Sequence, residues 1–196
     1  AFAVIKDLLN EKGIRAVINN NEALAAAALN GTQTLPLRAM IVFKSVGAHV
    51  AADALALASL AGANPGGGAI VVYGDDPWSD STQVPADSRF ISRHLYIPVI
   101  EPADVQEVKD YVDLSFKLSR RSELIAGLLL TTNLADGGGT VMCRPNQYPD
   151  INTRNKVDLA TRSIDLDKRV LLPPKTWWQE ESYTQRFERA MAAARE

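Results

Sequence analysis

The chain has 196 residues, 46% of them hydrophobic, with a formal net charge of −2, enough for one domain with a sizeable core and too short for two. That balance leaves no basic footprint for nucleic acid or an anionic membrane, and no apolar run reaches the roughly 20 residues that cross a bilayer. One cysteine, Cys143, excludes an internal disulfide and any iron–sulfur cluster held by this chain alone, and with no secretory signal visible the expected compartment is a reducing cytoplasm.

Phe2, Val4, Ile5, Leu8 and Leu9 have helical spacing, and Gly13 is a C-terminal stop for that helix. Ile14–Ile18 reads as a short strand. Asn21 can cap the alanine-rich helix that starts at Glu22 and bends or ends near Gly31. Arg38–Lys44 is a second strand. Ala48–Ala61 is a helix apolar on nearly all sides, which predicts that it is buried rather than half exposed. Ala69–Tyr73, after the NPGGG loop, is a third strand, and its unbroken apolar run predicts burial on both faces. A helix is expected over Pro85–Leu95 and a fourth strand over Ile97–Ile100. Asp104 and Glu107 have capping-box spacing at the start of a helix running to about Arg121. Leu124–Thr131 is a fifth strand. Arg38–Lys44, Ala69–Tyr73 and Leu124–Thr131 are expected to be central. The alternation predicts an α/β fold: a parallel sheet of at least five strands with helices on both faces.

From Asn133 the pattern changes. Thr140–Asp167 is polar without clear period, and a final helix is expected over Glu180–Arg195. The expected organisation is an α/β domain over residues 1–143 and a strap with a C-terminal linker helix over 144–196. An α/β domain ordinarily opens with a strand, whereas this chain opens at Ala1 inside a helix. The expectation is a segment of a longer polypeptide or split complex whose first strand is missing.

Several polar groups fall at the carboxyl ends of these strands, where open α/β sheets bind ligands. Glu22 sits in the first turn of a helix, a favoured place for an acid even without further role. Ser45, Val46 and Gly47 form a strand-to-helix turn whose free N–H groups suit an anion or a cofactor edge, with His49 one turn on. An ordinary βα turn explains the same residues. Asp75 and Asp76 form an acidic pair suited to Mg²⁺, but the preferred reading is a turn in which they cap backbone groups. Ser81, Gln83, Asp87 and Arg89 suit a substrate entrance, a partner contact or a self-capping loop. Asn133 follows the last strand. Cys143 reads as a small buried hydrophobe, His94 has no second histidine at metal spacing, and no Gly-Lys-Ser/Thr follows either glycine run.

The motifs also carry a resemblance. Gly74-Asp75-Asp76-Pro77, then Ser81-Thr82-Gln83 and Asp87-Ser88-Arg89, closely resemble the large subunits of indolepyruvate:ferredoxin oxidoreductases, in the thiamine diphosphate-dependent 2-oxoacid oxidoreductase family. Asn21-Glu22-Ala23-Leu24-Ala25 is similar to the family's NE-x-x-A helix start, and Lys44–Asp53 to its K-H-V-G-L-N-V-A-A-D loop. Ile97–Pro102 and Leu171-Leu172-Pro173 match in place and order. The resemblance runs from about Asn21 to Pro174.

It implies a pyrimidine-binding domain that holds half of a thiamine diphosphate site. Glu22 would hydrogen-bond the aminopyrimidine nitrogen and set its tautomer, with Ser45, Val46 and Gly47 beside the cofactor. His49, Asp76, Ser81, Gln83, Arg89 and Asn133 would face substrate or partner. The GDG…Asn-Asn metal motif is absent, so Mg²⁺ and the iron–sulfur clusters would lie outside this chain, which alone would be inactive. The implied partners are a diphosphate-binding domain of the same or another polypeptide, within a homo- or hetero-oligomer, and a ferredoxin-type acceptor reached through partner subunits. Ser45 stands where the family commonly has His, His49 where it has Asn, and Asn133 where it has Arg. Ser45 and Asn133 favour an alternative, a non-catalytic domain kept for subunit assembly, which the intact Asn21-Glu22 opposes.

Overall fold

The computed structural model describes residues 2–145 and 164–196. Helix α1 (Phe2–Glu11) is followed by Gly13 at φ +75°, a conformation that disfavours a side chain, so the helix stops where the sequence predicts. Asn21 caps α2 (Glu22–Thr32), its side-chain oxygen accepting the Leu24 N–H at 2.8 Å. Next come β1 (Arg38–Lys44), α3 (Ser45–Ala61), β2 (Gly68–Asp75), α4 (Ser88–His94) and β3 (Val99–Ile100). Helix α5 (Val105–Ser122) opens with a variant capping box. Asp104 accepts the Glu107 N–H at 2.9 Å, while the Glu107 carboxylate takes the N–H of Ala103 at 2.7 Å. β4 (Ala126–Thr131) leads into the short α6 (Thr132–Asp136). A C-terminal arm of α7 (Leu166–Arg169), α8 (Lys175–Glu181) and α9 (Tyr183–Ala194) follows.

All strand pairings are parallel, in the order β1-β2-β4-β3. Side chains of β2 alternate between two cores. Ala69, Val71 and Tyr73, with Leu129 of β4, meet Leu29 of α2 and Ala51 and Leu55 of α3. Ile70 and Val72, with Leu128, meet Phe116, Tyr111 and Val112 of α5 on the opposite face. A strand covered on both sides needs apolar residues at successive positions, which is what the sequence of β2 offers. The expected class, a parallel sheet with helices on both faces, is the one observed.

The C-terminal arm docks on this core. Tyr183 and Ala190 of α9 pack with Leu118 of α5 and with Leu124, and the Tyr183 and Ser59 hydroxyls lie 3.2 Å apart. Two arginines of the arm serve the exposed carbonyls that end α3. Arg186, 5% exposed, donates to the Leu60 carbonyl at 3.2 Å and to the Gln179 side-chain oxygen. Arg169 donates to the carbonyls of Ala61 at 3.2 Å and Gly62 at 2.6 Å. A helix C-terminus has unpaired acceptors and partial negative charge, so two guanidiniums meet both needs.

Several expectations change. Ile14–Ile18 forms no strand; Ile14, Val17 and Ile18 are exposed, and the sheet has four strands among the described residues. A strand exists only where a neighbour completes its ladder, and none is offered there. β1 is an edge rather than a central strand. Its Ile41 and Phe43 pack on the core, but Met40 and Val42 remain 48% and 60% exposed because α5 covers β2 and β4 and meets β1 at Arg38. Helix α3 is half exposed, with Val46, Val50 and Leu57 facing out. The helix expected from Pro85 starts at Ser88, since Asp87 caps it and Ala86 bridges to Asp76. The strands expected from Ile97 and Leu124 start at Val99 and Ala126, and Cys143 is exposed, not buried. The middle of the expected strap, residues 146–163, lies outside the described residues. No helix among the described residues is long and apolar enough to cross a membrane.

Candidate functional site

Three strands end together at one edge of the sheet. In the parallel register Lys44 pairs with Gly74, and Asp75 with Thr131, so the segments after β1, β2 and β4 leave side by side. Helix α3, whose first turn Ser45-Val46-Gly47 was expected to be a strand-to-helix turn, the loop from Asp76 to Asp87, and Thr132-Asn133 all start there. Helix α2 adds Glu22, because its amino end abuts the amino end of α3.

Glu22 and Gly47 touch. A Cβ placed on Gly47 would lie 2.6 Å from Glu22 Cγ and 2.8 Å from its Oε1, so the glutamate side chain lies across the first turn of α3. Its carboxylate has no hydrogen-bond or ion-pair partner among the described residues. Ser45, the first residue of α3, is 1% exposed, and its hydroxyl has no partner among them either. A buried hydroxyl is ordinarily hydrogen-bonded, so an unpaired one on the helical turn that an unpaired carboxylate overlies marks a place suited to a polar ligand group. Val46 is exposed between Ser45 and Gly47, and Trp78 (80%) and Val84 are exposed in the loop after β2.

The loop after β2 is internally latched. The buried Asp76 carboxylate accepts the N–H groups of Asp80 at 2.8 Å, Ser81 at 2.7 Å and Thr82 at 2.7 Å, and the Thr82 hydroxyl at 2.9 Å. Burial alone would raise its pKa, but these donors outweigh it and hold the carboxyl at about 2. Asp75 accepts the N–H of Ser88 at 3.0 Å and the Ser88 hydroxyl, joining the strand end to α4; burial pushes this carboxyl up, against the pull of both Ser88 donors. Both aspartates therefore cap backbone groups, the reading preferred from the sequence. Lys44 Nζ donates to the Ser81 carbonyl at 3.0 Å and ties the loop to β1. The tie was not anticipated; a lysine ending an apolar strand opposite a serine-rich loop is the signal that could have found it.

The remaining candidates do not all converge. Asn133 and Asp76, with Trp78 and Thr132, line a small hollow of about 70 Å³ at the same edge. Gln83 and His49 are exposed with no hydrogen bond among the described residues. Arg89 points away: it pairs with Glu101 at 2.7 Å and Asp87 at 3.0 Å. It borders a wide open groove of about 1330 Å³ between α4 and α9, which contains no other candidate residue. That groove is larger but gathers no buried unpaired polar group, so the β1–β2–β4 edge is the better candidate site. No acidic, histidine or cysteine cluster suited to a metal occurs among the described residues.

No protein-family model matches the chain. It is 39% identical over 121 residues to indolepyruvate oxidoreductase subunit IorA of Archaeoglobus fulgidus, covering 62% of this chain and 19% of that protein. Identity is 37% over 130 residues with subunit IorA of Pyrococcus horikoshii (66% and 20%) and 28% over 138 residues with that of Methanothermobacter marburgensis (70% and 22%). The chain spans about a fifth of the length of these relatives. Over that fifth it is a sequence relative of the IorA subunits of indolepyruvate oxidoreductase, the same family that its own motifs resemble.

Proposed function

We propose that this chain forms the pyrimidine-binding half of a thiamine diphosphate site in a 2-oxoacid oxidoreductase acting on indolepyruvate-like substrates. The observation that carries the reading is the unpaired Glu22 carboxylate laid over Gly47, on the helical turn that also holds the unpaired buried Ser45 hydroxyl. These residues fit the aminopyrimidine end of the cofactor: an acceptor, a hydroxyl and a turn without a side chain. When bound, thiamine diphosphate supplies the carbon nucleophile for oxidative decarboxylation. Glu22 would hold the shared proton at its carboxylate against the ring nitrogen and so favour one tautomer. The Ser45 hydroxyl offers a hydrogen bond but does not titrate near neutral pH, so it orients rather than moves a proton. Val46, Trp78 and Val84 form an apolar rim against which a diphosphate-binding partner domain closes and excludes water. That domain would hold Mg²⁺ and the diphosphate, and partner subunits with iron–sulfur clusters would supply the route to a ferredoxin-type acceptor.

Calorimetry with thiamine diphosphate and Mg²⁺ tests this. The assembled enzyme is expected to bind one cofactor per site, and the 196-residue chain alone to bind weakly or not at all. Tight one-to-one binding by the chain alone would remove the half-site reading, and no binding by the assembled enzyme would remove the cofactor. The exposed Met40 and Val42 favour a second reading, a domain whose role is subunit assembly. An assembled enzyme that needs the chain for its architecture but binds no cofactor at Glu22 would support it.

A further inference from the structure

Helix α3 is built mostly of alanine and leucine, and Gly47 is its one glycine, placed in the first turn. Glycine within a helix is destabilising relative to alanine, through the backbone freedom it loses on folding. Its φ is not in the left-handed region, so no backbone conformation demands it. The space around it does. A Cβ there would meet Glu22 Cγ at 2.6 Å, Oε1 at 2.8 Å and Cδ at 2.9 Å, closer than carbon atoms ordinarily approach. The three nearest atoms all belong to one side chain.

We propose that Gly47 is a positioning residue whose missing side chain lets the Glu22 carboxylate lie across the first turn of α3. The geometry stands on packing alone; the consequence for cofactor binding rests on the proposed function. A methyl group at position 47 would push the carboxylate off the first turn of α3, since the glutamate is the movable partner and the helix backbone is not.

A double-mutant cycle separates the two parts. In the 196-residue chain, Gly47→Ala is expected to change the thermal midpoint little when Glu22 is present, because displacing the glutamate offsets the helix gain of alanine. In a Glu22→Ala background the same change should raise it, because only the better helix propensity of alanine remains. Equal shifts in both backgrounds overturn the inference. In the assembled enzyme, Glu22→Ala should weaken thiamine diphosphate binding roughly tenfold or more, the scale of a lost hydrogen bond to a charged group. Gly47→Ala should cost a similar factor, and the double variant should bind no worse than Glu22→Ala alone. Additive losses would mean that Gly47 meets the cofactor through its own backbone, and would also overturn the inference. A coupled thermal cycle with unchanged affinity in Glu22→Ala supports the positioning of Glu22 and overturns the cofactor reading instead.

Discussion

The Asp76 carboxylate holds Thr82 twice, through its N–H at 2.7 Å and its hydroxyl at 2.9 Å, and so folds the loop after β2 back on its own beginning. With the Asp80 and Ser81 N–H groups it makes four bonds that need the ionised form. A folded-state pKa of about 2 lies below the unfolded value of roughly 3.9, so this stabilisation is present above about pH 4 and fades as pH falls toward 2. Asp75, shifted upward, works in the opposite sense, since its protonation favours the folded state at low pH. The comparison that isolates Asp76 is therefore with Asp76→Asn. Proteolysis of the 76–87 loop should accelerate below pH 4 in the parent chain, and be fast and nearly pH-independent in the variant. An equally resistant loop in Asp76→Asn at pH 7 would show that the latch is not needed.

Arg186 ties the C-terminal arm to α3. Arg186→Met keeps much of the buried stem but leaves the Leu60 carbonyl and the Gln179 oxygen without their donor. A hydrogen bond to a charged group contributes about 1.5–3 kcal/mol, so unfolding in urea should show a loss of about that size. Hydrogen exchange should rise in α8 and α9 before it rises in β2, because the arm packs on the outside of the core while β2 is enclosed on both faces.

Met40 and Val42 occupy the uncovered face of an edge strand whose outer N–H and C=O groups lack a ladder partner among the described residues. Such an edge is a template for pairing with another chain. Val42→Lys is expected to reduce self-association of the 196-residue chain, measured by light scattering, with a change in stability within about 0.5 kcal/mol. Unchanged association would place the sticky surface elsewhere.

Glu22→Gln preserves shape and the contact with Gly47 while removing the acid. In the assembled enzyme, turnover should fall by roughly two orders of magnitude or more, the scale of a lost acid–base group, with the thermal midpoint nearly unchanged. Activity close to that of the parent enzyme would leave the assembly reading as the stronger one.

Most local structure was readable from residues near one another in the chain. Asn21 and Asp104 cap their helices because the carboxyl or amide oxygen and the N–H it accepts are three residues apart, and the run Ala69–Tyr73 carries its own requirement for two covered faces. The Asn-Glu pair and the GDDP loop were legible for the same reason, and they point to the family on their own. What the run Arg38–Lys44 could not reveal is which strand would lie beside it. Its residues are as apolar as those of β2, but whether a strand is central depends on what arrives at its other edge, and on where α5 lies. Ile14–Ile18 failed as a strand by the same rule. The site itself is tertiary: Glu22 meets Gly47 only because α2 and α3 pack against each other, and Arg186 reaches the Leu60 carbonyl across 126 residues of chain. Short-range hydrogen bonds are decided by local spacing, whereas strand neighbours and side-chain clearances are decided by which distant surfaces are brought into contact.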